Sequence, residues 1–214
     1  MKVILIGATG LVGRQAVGHL EAAGHQVHTL VRVSSGRTRN ETIAEATSWP
    51  ELVCDARADV AVCAIGTTMR SAGSQAAFRA VDYDIAVSFA VAARGAGIRH
   101  MIVVSSVGAD PGSRNFYLRT KGEMEKALAD LSFDRLDILR PGLLRGERGS
   151  ERRPGERLGI LLSPLVNLFL RGRLDRYAAI DARLVAEAIA RLAGRAEKGT
   201  FIHHNRDIDR LTAA

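Results

Sequence analysis

Short apolar runs alternate along this chain with stretches in which apolar residues recur every three or four positions. The first run, Val3 to Ile6, is continuous and of strand length. Val12, Ala16, Val17, Leu20 and Ala23 then fall at helical spacing, and Gly24 closes the helix. A second strand follows from His25, with Val27, Leu30 and Val31 as its apolar members. Residues 40–58 carry the weakest pattern and read as a short strand near 42–46 and a short helix from Pro50. Residues 59–65, DVAVCAI, form another buried strand, and 69–74 read as a loop. Phe78, Val81, Ile85, Phe89 and Ala92 mark one face of a long helix that ends around Gly95 and Gly97. The strand at 101–104 leads to a helix with Tyr117, Lys121, Met124, Leu128 and Leu131 on one face. A strand at 136–139, a helix carrying Val185, Ala188, Ile189 and Leu192, and a strand at 200–203 complete the series. Strands alternating with helices predict an α/β fold built on a doubly wound, mostly parallel sheet.

The loop after the first strand reads Gly7-Ala8-Thr9-Gly10-Leu11-Val12-Gly13. A buried strand, a glycine turn and a helix N-terminus in that order form an anion cradle. The glycines let the backbone approach a phosphate, and the first helical N–H groups point at it. The spacing is G-x-x-G-x-x-G, and its position supports dinucleotide binding by Gly7, Ala8, Thr9, Gly10, Leu11 and Val12. In a nucleotide-binding βαβ unit the end of the second strand meets the adenosine ribose, where an acidic residue would hold the free 2′-hydroxyl of NAD. Here the position is Arg32, with Arg37 nearby, which matches a 2′-phosphate and predicts NADP over NAD. The competing reading is a solvated strand-end arginine. Ala64, Ile65, Gly66 and Thr67 close the fourth strand, where the chain should pass the cofactor. Ser105, Pro141 and Leu143 stand at later strand ends and are expected on the same side.

The 214 residues, 47% of them hydrophobic, suit one compact domain over 1–214. The two cysteines lie in no ligand-like spacing, so neither a disulfide framework nor a metal site is expected, and the cytoplasm is the natural setting. The apolar N-terminal run meets Gly-Ala-Thr-Gly too soon for a signal peptide. A formal charge of +7 favours anionic ligands. The basic residues are scattered, aromatics are 5%, and no nucleic-acid motif appears, so nucleic acid is not an expected partner. Residues 145–157 read as a charged loop whose arginines at 145, 148, 152 and 153 suit either solvent or an anionic substrate. Residues 158–170 are apolar around Pro164 and too short to cross a bilayer. Together 145–175 form a small substrate-side extension or lid, and its apolar part leaves a homodimer open. His203 and His204 suit packing better than metal, since neighbours on a strand face opposite ways. Asp181 reads as an N-terminal contact of the last long helix.

The chemistry centres on Tyr117-Leu-Arg-Thr-Lys121. Four-residue spacing puts tyrosine and lysine on one helix face. Lys121 can act on the phenol electrostatically and reach ribose hydroxyls; Tyr117 can pass a proton to a carbonyl oxygen as hydride reaches the carbon. A serine ending the preceding strand would hydrogen-bond the same oxygen. Ser105 and Ser106 both qualify; Ser106, one residue further out, is preferred.

With these motifs in place, GATGLVG, the strand-end serines, YLRTK and RPG resemble a short-chain dehydrogenase/reductase of the atypical or extended branch. More narrowly, AIGTTMRSAGSQAAFRAVDYD, SSVGADPGSRNFYLRTKGEME and RPGLLRGER are similar to small NAD(P)-binding oxidoreductases related to the Tat-interacting oxidoreductase-like tumour suppressor of animals. The resemblance implies a single Rossmann domain with about seven parallel strands. It also implies NADP(H) binding and Ser106, Tyr117 and Lys121 as the catalytic positions. One departure stands out: many catalytic relatives carry a relay asparagine in the central helix, where this chain reads Val81-Asp82-Tyr83-Asp84. Two functions therefore follow. The first is an NADP(H)-dependent oxidoreductase acting on a small carbonyl or alcohol. The second is a nucleotide-sensing or partner-binding protein that keeps the pocket without turnover.

Overall fold

The computed structural model describes residues 1–34, 36, 38, 40–146 and 176–213. Of the expected lid at 145–175, residues 147–175, with Arg148, Arg152, Arg153 and the apolar 158–170 run, lie outside the described residues, as do Arg37 and Ser35.

The sheet follows from the apolar runs. The strands β1 (Lys2–Ile6), β2 (Gln26–Val31), β3 (Glu41–Ile43), β4 (Val60–Cys63), β5 (His100–Val104), β6 (Arg135–Leu139) and β9 (Gly199–His203) form one seven-stranded sheet in the order β3-β2-β1-β4-β5-β6-β9. Every pairing in it is parallel. A parallel sheet needs helices on both faces, so its central strands are apolar without alternation. One face packs on α1 (Gly13–Ala22) and on α7 (Ala182–Leu192), through Val3, Leu5, Ala16, Leu20, Val185 and Ile189. The other packs on α2 (Trp49–Asp55), α5 (Ala86–Gly95) and α6 (Phe116–Asp130), through Ile4, Ile6, Phe89, Met101, Met124 and Leu128. Burying each such large side chain contributes about 1.5–3 kcal/mol. The strand order turns outward from β1 in both directions, between β1 and β4, and that switch opens a crevice at the carboxyl ends of the strands.

Four local features depart from the expected elements. Residues 69–72 form a short helix, α3 (Met69–Ala72), because the Thr68 hydroxyl accepts the Ser71 N–H and caps it. The long central helix is broken into α4 (Gln75–Arg79), a π-helical turn (Ala80–Ile85) and α5. The extra residue of a π turn shifts the helix phase. Phe78, Asp82, Ala86 and Phe89 therefore face inward, while Val81 and Ile85 are only half-buried. A short parallel ladder pairs β7 (Leu144–Arg145) with β8 (Ile180–Asp181) beyond the main sheet. A last helix, α8 (Asn205–Thr212), follows β9, with Ile208 buried against the first face.

Asp181 caps α7 by accepting the Arg183 N–H at 2.8 Å, the helix contact expected of it. His203 and His204 take packing roles. The His203 Nε2 lies 2.7 Å from Asp137, and His204 caps α8.

Candidate active site

The glycine loop is shaped by contacts that no side chain could share. Gly7 has φ of +90°, and a Cβ there would lie 2.5 Å from the Ala64 carbonyl group of β4. A Cβ on Gly13 would lie 2.1 Å from the Gly7 carbonyl oxygen. Glycine at both positions lets the loop fold down onto the sheet while α1 starts immediately above it. The Gly10 N–H closes the turn on the Gly7 carbonyl oxygen at 2.9 Å. The N-terminus of α1 and the loop then border a cavity of about 890 Å³, within the range of small-ligand and cofactor pockets.

Thr9, Gly10, Leu11 and Val12 line one side of this cavity, and Ala64, Ile65, Gly66 and Thr67 from the end of β4 line the next. Ser105 and Ser106 after β5, Tyr117 and Lys121 on α6, and Pro141 and Leu143 after β6 complete the expected set. Three expected cofactor residues do not line it. Gly7 and Ala8 lie behind the loop, Ala8 buried, and shape it from beneath. Arg32 is exposed at the end of β2, beyond the cavity lining. Arg14, on the first turn of α1, lines the cavity and was not anticipated; Thr68, Ser71 and Asp82 do so as well.

Alternation at the β5 end separates the two serines. The Ser105 hydroxyl is buried and donates to Glu125 on α6. Glu125 in turn accepts from Arg140 through Nε at 3.0 and 3.1 Å. Ser105 is thereby committed to the scaffold. Ser106 is half-buried, and its hydroxyl makes only a long 3.3 Å contact to the Val107 carbonyl oxygen. Tyr117 is half-buried with its ring 5.3 Å from that of Phe78. Helix α6 is capped by Asn115, which accepts the Leu118 N–H at 3.2 Å. It approaches the serine loop closely because residue 122 is glycine; a Cβ there would lie 2.3 Å from the Asp110 backbone.

Lys121 and Asp82 are the charged centre of the site. Their ion pair measures 2.7 Å, and both side chains are buried. The other Asp82 oxygen, Oδ2, accepts the Thr67 N–H at 2.8 Å. Burial alone would lower the Lys121 ammonium below its ordinary value; the adjacent carboxylate outweighs it and the net direction is upward. Cys63, at the end of β4, is pushed up to about 11 by burial and stays a neutral thiol. Both cysteines are free.

The cradle that a Cβ would fill at Gly7 and Gly13, the first turn of α1 facing the cavity, and a buried lysine beside Tyr117 fit a nicotinamide dinucleotide. The fold is that of a Rossmann nucleotide-binding domain. The chain belongs to the NAD(P)H-binding family, whose pattern matches residues 7–159. Its curated relatives include protein FMP52 of Eremothecium gossypii, 37% identical over 182 residues, covering 82% of this chain and 80% of that one. Protein fmp52 of Aspergillus niger is 32% identical and covers 92% of this chain and 89% of its own. Among solved structures, a putative NAD-dependent epimerase/dehydratase from Bacillus halodurans superposes with a TM-score of 0.69 at 24% identity, covering 94% and 92% of the two chains. The UDP-glucose 4-epimerase of Thermotoga maritima gives a TM-score of 0.71 at 15% identity, covering 100% of this chain and 82% of that one. These likenesses show the fold.

The relatives correct one expectation. Those from E. gossypii, Scheffersomyces stipitis and Candida albicans, at 36–39% identity, are named mitochondrial proteins, against the cytoplasmic setting read from the cysteines. Unpaired thiols argue against an oxidising compartment but do not distinguish one reducing compartment from another.

Proposed function

We propose that this protein is an NADP(H)-dependent oxidoreductase that interconverts a small carbonyl compound and its alcohol. The observation that carries the reading is the shared wall of the cavity. Ser106, Tyr117 and Lys121, from two elements, line the same cavity as the glycine loop. A bound nicotinamide nucleotide supplies or accepts the hydride. Thr9 to Val12 and the first turn of α1 would hold its phosphates, and Lys121 would reach its ribose hydroxyls. Tyr117 gives a proton to the substrate oxygen or takes one from it, and the Ser106 hydroxyl donates to the same atom. The bond of the Ser105 hydroxyl to Glu125 supports Ser106 over Ser105 in this role. Arg32 supports NADP over NAD: it ends β2 exposed and able to turn toward a 2′-phosphate. The resemblance to the Tat-interacting oxidoreductase-like group supports the same cofactor. The relatives' printed location supports a mitochondrial setting.

The test is a fluorescence titration of the purified protein with NADPH and NADH. NADPH should bind at least about tenfold tighter, the value of one lost charge-assisted contact, and Arg32→Glu should abolish the difference. Tyr117→Phe should retain NADPH binding and lose carbonyl turnover. Binding of neither nucleotide would overturn the proposal.

The second reading, a nucleotide sensor without turnover, is favoured by one observation. Asp82 stands where catalytic relatives carry a relay asparagine, and it is engaged with Lys121. Partner binding that survives Tyr117→Phe, with no turnover in the parent protein, would select it.

A further inference from the structure

Asp82 lies on the π-helical turn, is 1% exposed, and sits with Oδ1 2.7 Å from the Lys121 Nζ. Its Oδ2 is held by the Thr67 N–H. The carboxylate is therefore fixed from two sides, by the β4 loop and by α6. An asparagine could keep the backbone contact through its side-chain oxygen but would bring no charge. Gly66 packs directly on the pair; a Cβ there would lie 3.4 Å from Asp82 Oδ1 and 3.8 Å from Lys121 Nζ. A buried lysine and a buried aspartate at this distance act on their surroundings as one neutral group.

We infer that Asp82 is a positioning residue that cancels the charge of Lys121, so that Tyr117 is held with its proton until it donates to the substrate oxygen. This rests on the oxidoreductase reading given above. In the reduction direction the Tyr117 O–H bond breaks as an O–H bond forms on the substrate oxygen. The carbonyl carbon gains a C–H bond from the reduced nucleotide, which is oxidised as the carbonyl is reduced. The resulting phenolate recovers its proton from solvent. In the opposite direction Tyr117 must first be ionised, and an unpaired lysine would promote that.

The surroundings leave Asp82 as the counter-charge. Of the groups around the Lys121 ammonium, Asp82 on the π turn is in contact at 2.7 Å, Tyr117 lies one turn away on the same helix, and Cys63 ends β4. The Cys63 thiol is neutral, as described above. Asp84, on the same turn, is exposed, and other charges on these elements are engaged elsewhere. Arg79 pairs with Glu123 and stacks on Tyr83, Glu125 pairs with Arg140, and Arg119 donates to the Ser113 carbonyl oxygen.

The test reads Tyr117 itself, by the ultraviolet absorbance of its phenolate during an alkaline titration. The same variant carrying Tyr117→Phe is subtracted to remove Tyr83 and Tyr177. Asp82→Asn should form the Tyr117 phenolate at a proton concentration at least about tenfold higher than wild type, the effect of an uncompensated cation nearby. Lys121→Met should move it the opposite way. The double variant Asp82→Asn/Lys121→Met removes both charges and should titrate within about twofold of wild type. It also keeps the test available if Asp82→Asn alone folds poorly, since replacing both members of a buried ion pair is often tolerated where breaking it is not. Identical titration of wild type and Asp82→Asn would overturn the inference, as would a double variant that matches Lys121→Met alone. The titration needs neither nucleotide nor substrate. A protein that binds no nucleotide would refute the oxidoreductase reading while this measurement still stood.

Discussion

Two glycines in one helix make opposite predictions for the same substitution. Gly13 begins α1 beneath the cavity, and a Cβ there would lie 2.1 Å from the Gly7 carbonyl oxygen, where real contacts keep at least 3.0 Å. The obstacle is backbone at both ends, so no side-chain rotation relieves it. Either α1 or the glycine loop must move by about 1 Å, and overpacking of this kind costs about 1–3 kcal/mol. Gly13 is the first residue of α1, where alanine recovers little of the interior helix propensity, so Gly13→Ala should lose about 1–3 kcal/mol. For a domain of this size that is a fall in Tm of about 2–12 °C. Gly18 lies in the same helix, exposed, with nothing within 4 Å of its added Cβ. Gly18→Ala should gain about 0.5–1 kcal/mol and raise Tm. Thermal melts followed by circular dichroism measure both variants against wild type. NADPH titration supplies the second arm. Gly13→Ala shifts Thr9 and Gly10 and should weaken binding at least about tenfold, the loss of one hydrogen bond to a charged group; Gly18→Ala should leave it unchanged. A Gly13→Ala protein that melts at or above wild type with unaltered NADPH affinity would refute the close-contact account of the loop.

Asp137 on β6 is fully buried and holds Arg135 at 2.6 and 2.9 Å, His100 at 2.8 Å and His203 at 2.7 Å. Asp137→Ala leaves these donors without their acceptor and should cost about 3–5 kcal/mol, read as a lowered urea midpoint with an unchanged m value. The pH dependence has a defined sign. Burial lowers His25, His28 and His204 below the ordinary imidazole value of 6.5, so the unfolded chain takes up protons first. Stability should fall as pH drops through 6.5 and onward through the lowered folded values. Lys121 is raised by Asp82 against its burial, so its contribution is complete below 10.5 and should be lost as pH rises through the higher folded value. Urea denaturation across the pH range checks both limbs; stability that rises on acidification through the imidazole range would contradict the first.

What could be read from the sequence depended on whether a feature leaves a periodic or a spaced trace. The β1 strand, the glycine turn and α1 were legible because strand burial and glycine geometry each demand particular residues at particular intervals. Tyr117 and Lys121 were legible for the same reason, four residues apart on a helix. The choice between Ser105 and Ser106 turned on a preference for the outer residue, and the structure supplies a reason in Glu125, which claims the inner hydroxyl. Features that break a period were hidden. Phe78, Val81, Ile85 and Phe89 fit one continuous helix, yet the π turn between α4 and α5 moves the inward face onto Asp82. Helix α3 has four residues, too few for any hydrophobic period, and rests on the Thr68 cap. Arg14 leaves no such trace, since a charged residue on the first turn of an amphipathic helix reads the same whether it meets solvent or borders a cavity. Gly122 carried a usable signal: glycine inside a helix costs about 1 kcal/mol relative to alanine, which argues for close backbone contact at that point.

The costly features also share a location. Gly122 weakens α6, Asp82 sits on a π turn, Lys121 is buried, and Gly7 is held in the left-handed region. Each choice lowers stability locally, and no single choice improves the core. All of them border or shape the same cavity at the carboxyl edge of the sheet. Local sequence preference yields there to a fixed arrangement of polar groups, as expected at a binding site. The same concentration explains why the Asp82 and Lys121 charges must be considered together. A lone buried lysine would be destabilising at this depth, and a lone aspartate equally so. Only the pair allows an ammonium to stand beside Tyr117 in a dry site.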